Sequence, residues 1–268
     1  MAYPAPKRTS IPALSSNYTK GRIKPIRVLV IHDGETGEGS TPAEGMGRWF
    51  QDPRANGSAH AGFDTDSICT YIADGDTAWA ARGTNADGLH GELAGRAGQT
   101  ASQWKDDDSL RILENGAIWF AEKAIKHGIP VRYLTDAQVR DGKTKGITTH
   151  RQITRALATG THTDPGPNFP ADYFLSRIKA HVTRLTAPAT TPTPKPPAAR
   201  KVPIMHTLVQ VKGQDAVWLS DLVHRRWVQT PAELLKVQNL LKARGVDATV
   251  REVSSLTTYG VAVGKVPA

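Results

Sequence analysis

Nine histidines and 25 Asp and Glu residues are spread over 268 residues, so context and spacing have to single out the few that could react. His32 closes the apolar run Ile26-Arg27-Val28-Leu29-Val30-Ile31. A strand ending there would expose the imidazole at the rim of a sheet, where sites commonly lie. Far downstream, within GITTHRQITRALATGTHTDPGPNFP, Asp164 follows His150 by fourteen positions (164 − 150). Two imidazoles and one carboxylate are a sound ligand set for zinc. Three protein ligands leave a fourth position open for water, the mark of a catalytic rather than a structural site. Spacing alone leaves a second reading open, because Asp164-Pro165-Gly166-Pro167 is also a good turn sequence and His32 could be a packed rim histidine.

The elements that would position these residues alternate in type. Ile26–Ile31 is short and β-branched, as a buried central strand would be. Ser67–Ala73 reads the same way, with Asp74-Gly75-Asp76 as its turn, and Gly88–Leu93 is a third strand. A helix follows, capped by Ser109, with Leu113, Ala117, Phe120, Ala121 and Ala124 on one face. Gly128 and Pro130 stop it. A last helix spans Ala171 to Leu185, with Phe174, Ile178 and Val182 inward. Such a mixture implies an α/β (α+β) fold, a central mixed β-sheet flanked by helices. The single cysteine, Cys69, excludes an internal disulfide and a Cys-rich metal site, and its apolar neighbours make it a small buried residue.

Residues 187–203, APATTPTPKPPAARKVP, carry no apolar periodicity and read as an extended spacer. They divide residues 1–186 from a small module, 204–268. The module reads strand, strand, helix, strand (ββαβ). Met205–Val211 and Val217–Val228, the latter broken near Asp221, come first. Thr230-Pro231-Ala232-Glu233 then opens the helix with a cap, a first-position proline and a third-position glutamate. Gly245 ends that helix and Val246–Val253 follows.

A net charge of +9 favours polyanionic partners, namely nucleic acid, an anionic membrane or the anionic polymers of a bacterial wall. The basic residues are scattered and match no nucleic-acid-binding signature, so no nucleic-acid partner is expected. No stretch has the length of a membrane span. The first 22 residues lack the apolar core of a signal peptide, so synthesis in the cytoplasm and release by another agent, a holin for example, are expected.

Taken together, His32, His150 and the stretch His162-Thr163-Asp164-Pro165-Gly166-Pro167-Asn168-Phe169-Pro170 resemble the N-acetylmuramoyl-L-alanine amidases. These share a fold with T7-type phage lysozyme and the peptidoglycan recognition proteins. Ser58-Ala59-His60, Asp74-Gly75-Asp76-Thr77-Ala78-Trp79-Ala80-Ala81 and Gly88-Leu89-His90-Gly91-Glu92-Leu93-Ala94-Gly95 are similar to further family motifs, and all stand in the family's order across about residues 24–185. The resemblance implies Zn2+ held by His32, His150 and Asp164. It implies hydrolysis of the amide between N-acetylmuramic acid and L-alanine in peptidoglycan, with Glu92 as general base and His162, where the family often has Lys, steadying the oxyanion. His60 would line the cleft, orient a ligand from behind or simply pack. Trp79 and Trp104 would stack on substrate or belong to the core. His90, His127, His181, His206 and His224 have no motif and are expected in packing or surface roles. The chain departs from the family pattern at Ala59, Ala61, Ala80 and Ala81.

The module, with Val217-Trp218-Leu219-Ser220-Asp221 and Arg225-Arg226-Trp227-Val228, resembles end modules of actinobacteriophage lysins, which implies a phage endolysin tethered to the cell wall. Two other readings stay open, a non-catalytic peptidoglycan binder of the same superfamily and an amidase that recycles muropeptides. A complete ligand set favours the enzyme over the binder, and a linker with a second domain is superfluous for soluble fragments.

Overall fold

The computed structural model describes residues 3–187, 207–220, 224–243, 247–253 and 261–265. The chain divides into two units, Met1–Pro188 and Ala189–Ala268. The Pro/Thr-rich segment 187–203, apart from Ala187, lies outside the described residues, as do His206 and Gly245.

The first unit carries, in chain order, β1 (Lys7–Ser10), β2 (Tyr18–Thr19), β3 (Val28–Asp33), α1 (Pro42–Phe50), β4 (Ala61–Phe63), β5 (Ser67–Thr70), β6 (Thr77–Ala78), β7 (Gly88–Leu93), α2 (Asp107–His127), α3 (Asp136–Arg140), β8 (Gly146–Thr149), α4 (His150–Leu157) and α5 (Ala171–Thr186). Six strands form one sheet in the order β1-β5-β4-β7-β3-β8. Only the β4–β5 pair is antiparallel, so the sheet is mixed as expected. All six residues of β3 are buried, which is why its sequence runs apolar without alternation. Leu29 and Ile31 face a core built with α2 and α5, including Leu113, Phe120, Phe174 and Ile178. Val28 and Val30 face the other way, against Leu134, Val139, Ile153 and Ala156 of the α3–α4 side. Cys69 is buried beside Met46 and Tyr71 in a third cluster.

Asp106 caps α2, accepting from the Ser109 N–H, so the helix starts earlier than Ser109. Ser109 lies in the first turn instead, buried, with its hydroxyl donated to Glu38. Gly128 ends α2 in the left-handed conformation, φ 59°, as a C-terminal glycine should. The polar strand β1, the short β2–β6 pair, strand β8 and helices α1, α3 and α4 have no counterpart among the elements expected from the sequence.

In the second unit β9 (Thr207–Val211), β10 (Val217–Ser220), β11 (His224–Val228), α6 (Pro231–Ala243), β12 (Val250–Val253) and β13 (Val261–Lys265) form a five-stranded sheet, β12-β9-β10-β11-β13, with one helix. The expected ββαβ order is extended at two places: Val217–Val228 is not one broken strand but the antiparallel pair β10–β11, and β13 follows β12. Thr230 and Glu233 form the expected reciprocal cap of α6. Leu208, Val228, Val237, Leu241 and Ala248 make its core.

Candidate active site

Three strand ends and one turn converge. Parallel pairing sets His32 of β3 in register with Glu92 of β7, and Ile31 in register with Thr149 of β8. His150 therefore emerges next to His32. It is the first residue of α4, whose cap is Thr149, accepting from Gln152 N–H at 3.1 Å. The turn holding Asp164 is tied to the same helix start, because Arg151 N–H donates to the Asp164 carbonyl at 2.8 Å. Behind the turn, Gly166 (φ +89°) lies so close to the Ala97 backbone that a Cβ would sit 2.0 Å from its carbonyl oxygen. Only glycine fits there. Asn168 adds a bond to the Gln99 carbonyl at 3.0 Å.

The convergence leaves the Asp164 carboxylate between two imidazoles. Its Oδ2 is 3.1 Å from His32 Nδ1 and its Oδ1 is 3.1 Å from His150 Nδ1. One ligand atom from each of the three residues lies within 4.8 Å of the others. All three side chains are nearly buried. Burial alone would raise the Asp164 carboxyl, but the bonds to His150 and His32 outweigh it and hold it well below the usual carboxylate range. Burial lowers His32, only partly offset by Asp164. A buried, ionised carboxylate flanked by two imidazoles through like nitrogens suits a divalent cation of borderline softness. The donor set fits zinc.

Glu92 stands 3.9 Å from His32 Nδ1. Burial, then the nearby charges of Asp164 and Asp33, push its carboxyl well above the ordinary value. Asp33 itself is buried with neither oxygen in a well-formed hydrogen bond, and burial with the charge of Asp164 brings it to about 7. His162, largely exposed, stacks on His150 with ring centroids 3.9 Å apart and places Nδ1 3.9 Å from Asp164 Oδ1. Partial burial, then the charge of His150, lower its pKa, so it is better suited to act as a neutral N–H donor than as an imidazolium.

These residues open onto a cavity of about 260 Å³ whose apolar wall is Met46, Trp49 and Phe50 from α1. Trp49 is half exposed at its edge. Trp79 is not among the lining residues; its indole donates to Thr19 at 2.9 Å beside a different hollow. His60 is also not a lining residue. It is buried, burial and Arg22 bring it down to about 3, and its Nδ1 accepts the His90 backbone N–H at 3.0 Å. Trp104 is core, edge-on to Phe169.

His90 is the residue sequence reasoning passed over. It is fully buried, and its Nδ1 lies 3.0 Å from His32 Nε2. The signal was available: in a strand, His90 and Glu92 share a face, and Glu92 was already a site residue. His127 and His181 lie away from the cavity, paired with Asp74 and Glu114.

A family model described as N-acetylmuramoyl-L-alanine amidase matches residues 22–167, just over half of the chain. Among solved structures, the Staphylococcus aureus hydrolase AmiA, in complex with its ligand, is similar at 17% identity and a TM-score of 0.51, over 68% of this chain and 86% of that one. That likeness concerns the fold. The N-acetylmuramoyl-L-alanine amidase LysC from Clostridium intestinale URNW aligns more loosely, at 12% identity and a TM-score of 0.44, over 65% of this chain and 99% of that one. No curated protein matches the sequence.

Proposed function

The chain belongs to the N-acetylmuramoyl-L-alanine amidase family, and we propose on that basis that it is a zinc-dependent endolysin cutting the amide between N-acetylmuramic acid and L-alanine in bacterial peptidoglycan. The observation that carries this reading is the convergence of His32, His150 and Asp164 on one cavity that also holds Glu92.

A zinc ion held by the three residues would supply Lewis acidity, polarising the scissile carbonyl and lowering the pKa of water towards neutrality. Glu92, within the same cavity, takes the proton of the attacking water as the oxygen bonds to the carbonyl carbon. Its raised affinity for a proton suits it to keep that proton and then pass it to the alanine nitrogen as the C–N bond breaks. His162, at the rim beside His150, donates N–H to the developing oxyanion. Trp49 and Phe50 form an apolar wall for the sugar or stem peptide and keep water off the reacting face.

The second unit, with the Pro/Thr-rich segment before it, fits a wall-binding tether, and the net charge of +9 suits anionic wall polymers. We infer an enzyme that acts on the wall after release from a phage-infected host. No helix among the described residues is long and apolar enough to cross a membrane.

Digestion of purified peptidoglycan, with and without a zinc chelator, tests the activity. Expected are new L-alanine amino termini with intact glycan strands, lost on chelation and restored by zinc. New reducing sugar ends, or cuts within the stem peptide, would overturn the bond assignment. Wall binding without any cleavage would favour the binding-protein reading.

A further inference from the structure

A histidine that meets a metal through one nitrogen must carry its proton on the other, and a buried proton needs an acceptor. His32 and His150 both turn Nδ1 towards Asp164, so their Nε2 atoms have to carry the proton. Both rings are buried, His32 at 2% and His150 at 5% exposure, so neither proton is simply left to bulk water. Among the described residues, the hydrogen-bond partner of His32 Nε2 is the ring of His90, 3.0 Å away at Nδ1.

We propose that His90 is a positioning residue that sets the tautomer of His32: by accepting the Nε2–H at its own Nδ1, it leaves the lone pair of His32 on Nδ1, facing Asp164 and the metal position. The inference rests on the zinc reading of the same site. A proton leaves neither ring: His32 and His90 are each protonated on Nε2, and because His90 Nε2 is buried without a hydrogen-bond partner, the pairing moves the unmet buried donor from the ligand ring to a ring outside the ligand set.

The surroundings of His90 keep its ring in the required pose. Its backbone N–H is fixed to His60 Nδ1 at 3.0 Å, and the His60 N–H returns to the His90 carbonyl at 2.9 Å. The two rings lie nearly parallel, 16° apart, with centroids at 5.8 Å. On the far side, Gly88 leaves the space that His90 Nε2 occupies, since a Cβ there would stand 2.7 Å from that nitrogen. The buried His60 thus touches the site through His90. This pattern is the outer-shell orientation of a metal ligand, built here from a second histidine in place of a carboxylate or carbonyl.

The test uses the full chain with zinc alone as the probe, in competition with a chromophoric chelator, and compares wild type, His90→Leu, His90→Asn and His150→Ala. Leucine fills the volume without an acceptor; asparagine puts a carbonyl oxygen near the place of Nδ1. Expected is a zinc affinity weakened about 10- to 100-fold in His90→Leu and largely restored in His90→Asn. Equal affinity in His90→Leu and wild type, with His150→Ala clearly weakened, would overturn the role of His90 alone. A wild type that takes up no zinc, or a His150→Ala variant as tight as wild type, would overturn the zinc reading and this inference together. Should His90→Leu not fold, long-range 1H–15N spectra of zinc-loaded wild type decide the matter. His32 should be protonated at Nε2 and His90 unprotonated at Nδ1; a proton on His90 Nδ1 would contradict the proposal.

Discussion

His32 and Glu92 are register partners at the ends of two neighbouring parallel strands, and their side chains meet 3.9 Å apart over one cavity. Parallel register thus fixes the spacing between a metal-ligand candidate and the proposed general base with no loop between them. Glu92→Gln keeps shape and burial while removing the proton acceptor. It is expected to bind zinc as wild type does and to lose about 10²- to 10⁴-fold in kcat. Turnover within a few-fold of wild type would move the base elsewhere.

Asp164 is the hub of the site, with one oxygen for each histidine. Asp164→Ala and His150→Ala are each expected to abolish both zinc uptake, read by equilibrium dialysis, and cleavage. An active Asp164→Ala variant would remove Asp164 from the ligand set.

Gly166 has room for no side chain against Ala97 and a φ that disfavours one. Gly166→Ala is expected to destabilise the first unit by more than about 1 kcal/mol in denaturant unfolding. Zinc affinity should fall too, because the displaced turn carries Asp164. An unchanged midpoint would show that the turn yields freely.

Trp49 borders the cavity, and Trp79 does not. Steady-state kinetics on soluble muropeptides should show KM raised several-fold by Trp49→Ala and little altered by Trp79→Ala. The reverse ranking would place the substrate groove on the other side.

Asp74 links the turn after β5 to the last turns of α2 through Lys123, Lys126 and His127. Burial opposes its charge, but these bonds win and hold the carboxyl well below its ordinary value of 3.8. A depressed folded-state pKa stabilises fully above the unfolded value and is lost as pH falls below it. Asp74→Asn should therefore cost about 1–2 kcal/mol at pH 7, and the gap to wild type should shrink below about pH 4. A gap independent of pH would assign the loss to packing alone.

Much of the positioning was legible in the sequence. The β-branched run before His32 could hardly be other than a buried strand, and Gly88–Leu93 emerged with the bounds expected. That His32, His150 and Asp164 would come together was readable because the Asp-Pro-Gly-Pro turn and the ordered motifs narrowed the candidates. What escaped depends on neighbours distant in the chain. β1 is polar and edge-placed, so it has no apolar pattern of its own. Helices α1 and α4 are short, with Gly45 and Gly47 in one and few apolar residues in the other, and packing rather than propensity holds them. Ser109 is a good cap by type, but Asp106 lies one turn earlier and takes the role. Trp79 was a cleft candidate by resemblance; the cavity beside His32 is lined by Trp49 and Phe50, whose helix the sequence did not reveal. His90 was overlooked because it stood outside every motif role, although strand alternation put it on the face of Glu92.

The most direct test of the zinc centre is a crystal structure of the protein grown with zinc, with anomalous data collected on either side of the zinc edge. The expected result is one strong peak bonded to His32 Nδ1, His150 Nδ1 and the Asp164 carboxylate. A peak elsewhere, or none at this cavity in a preparation whose cleavage requires zinc, would contradict the site.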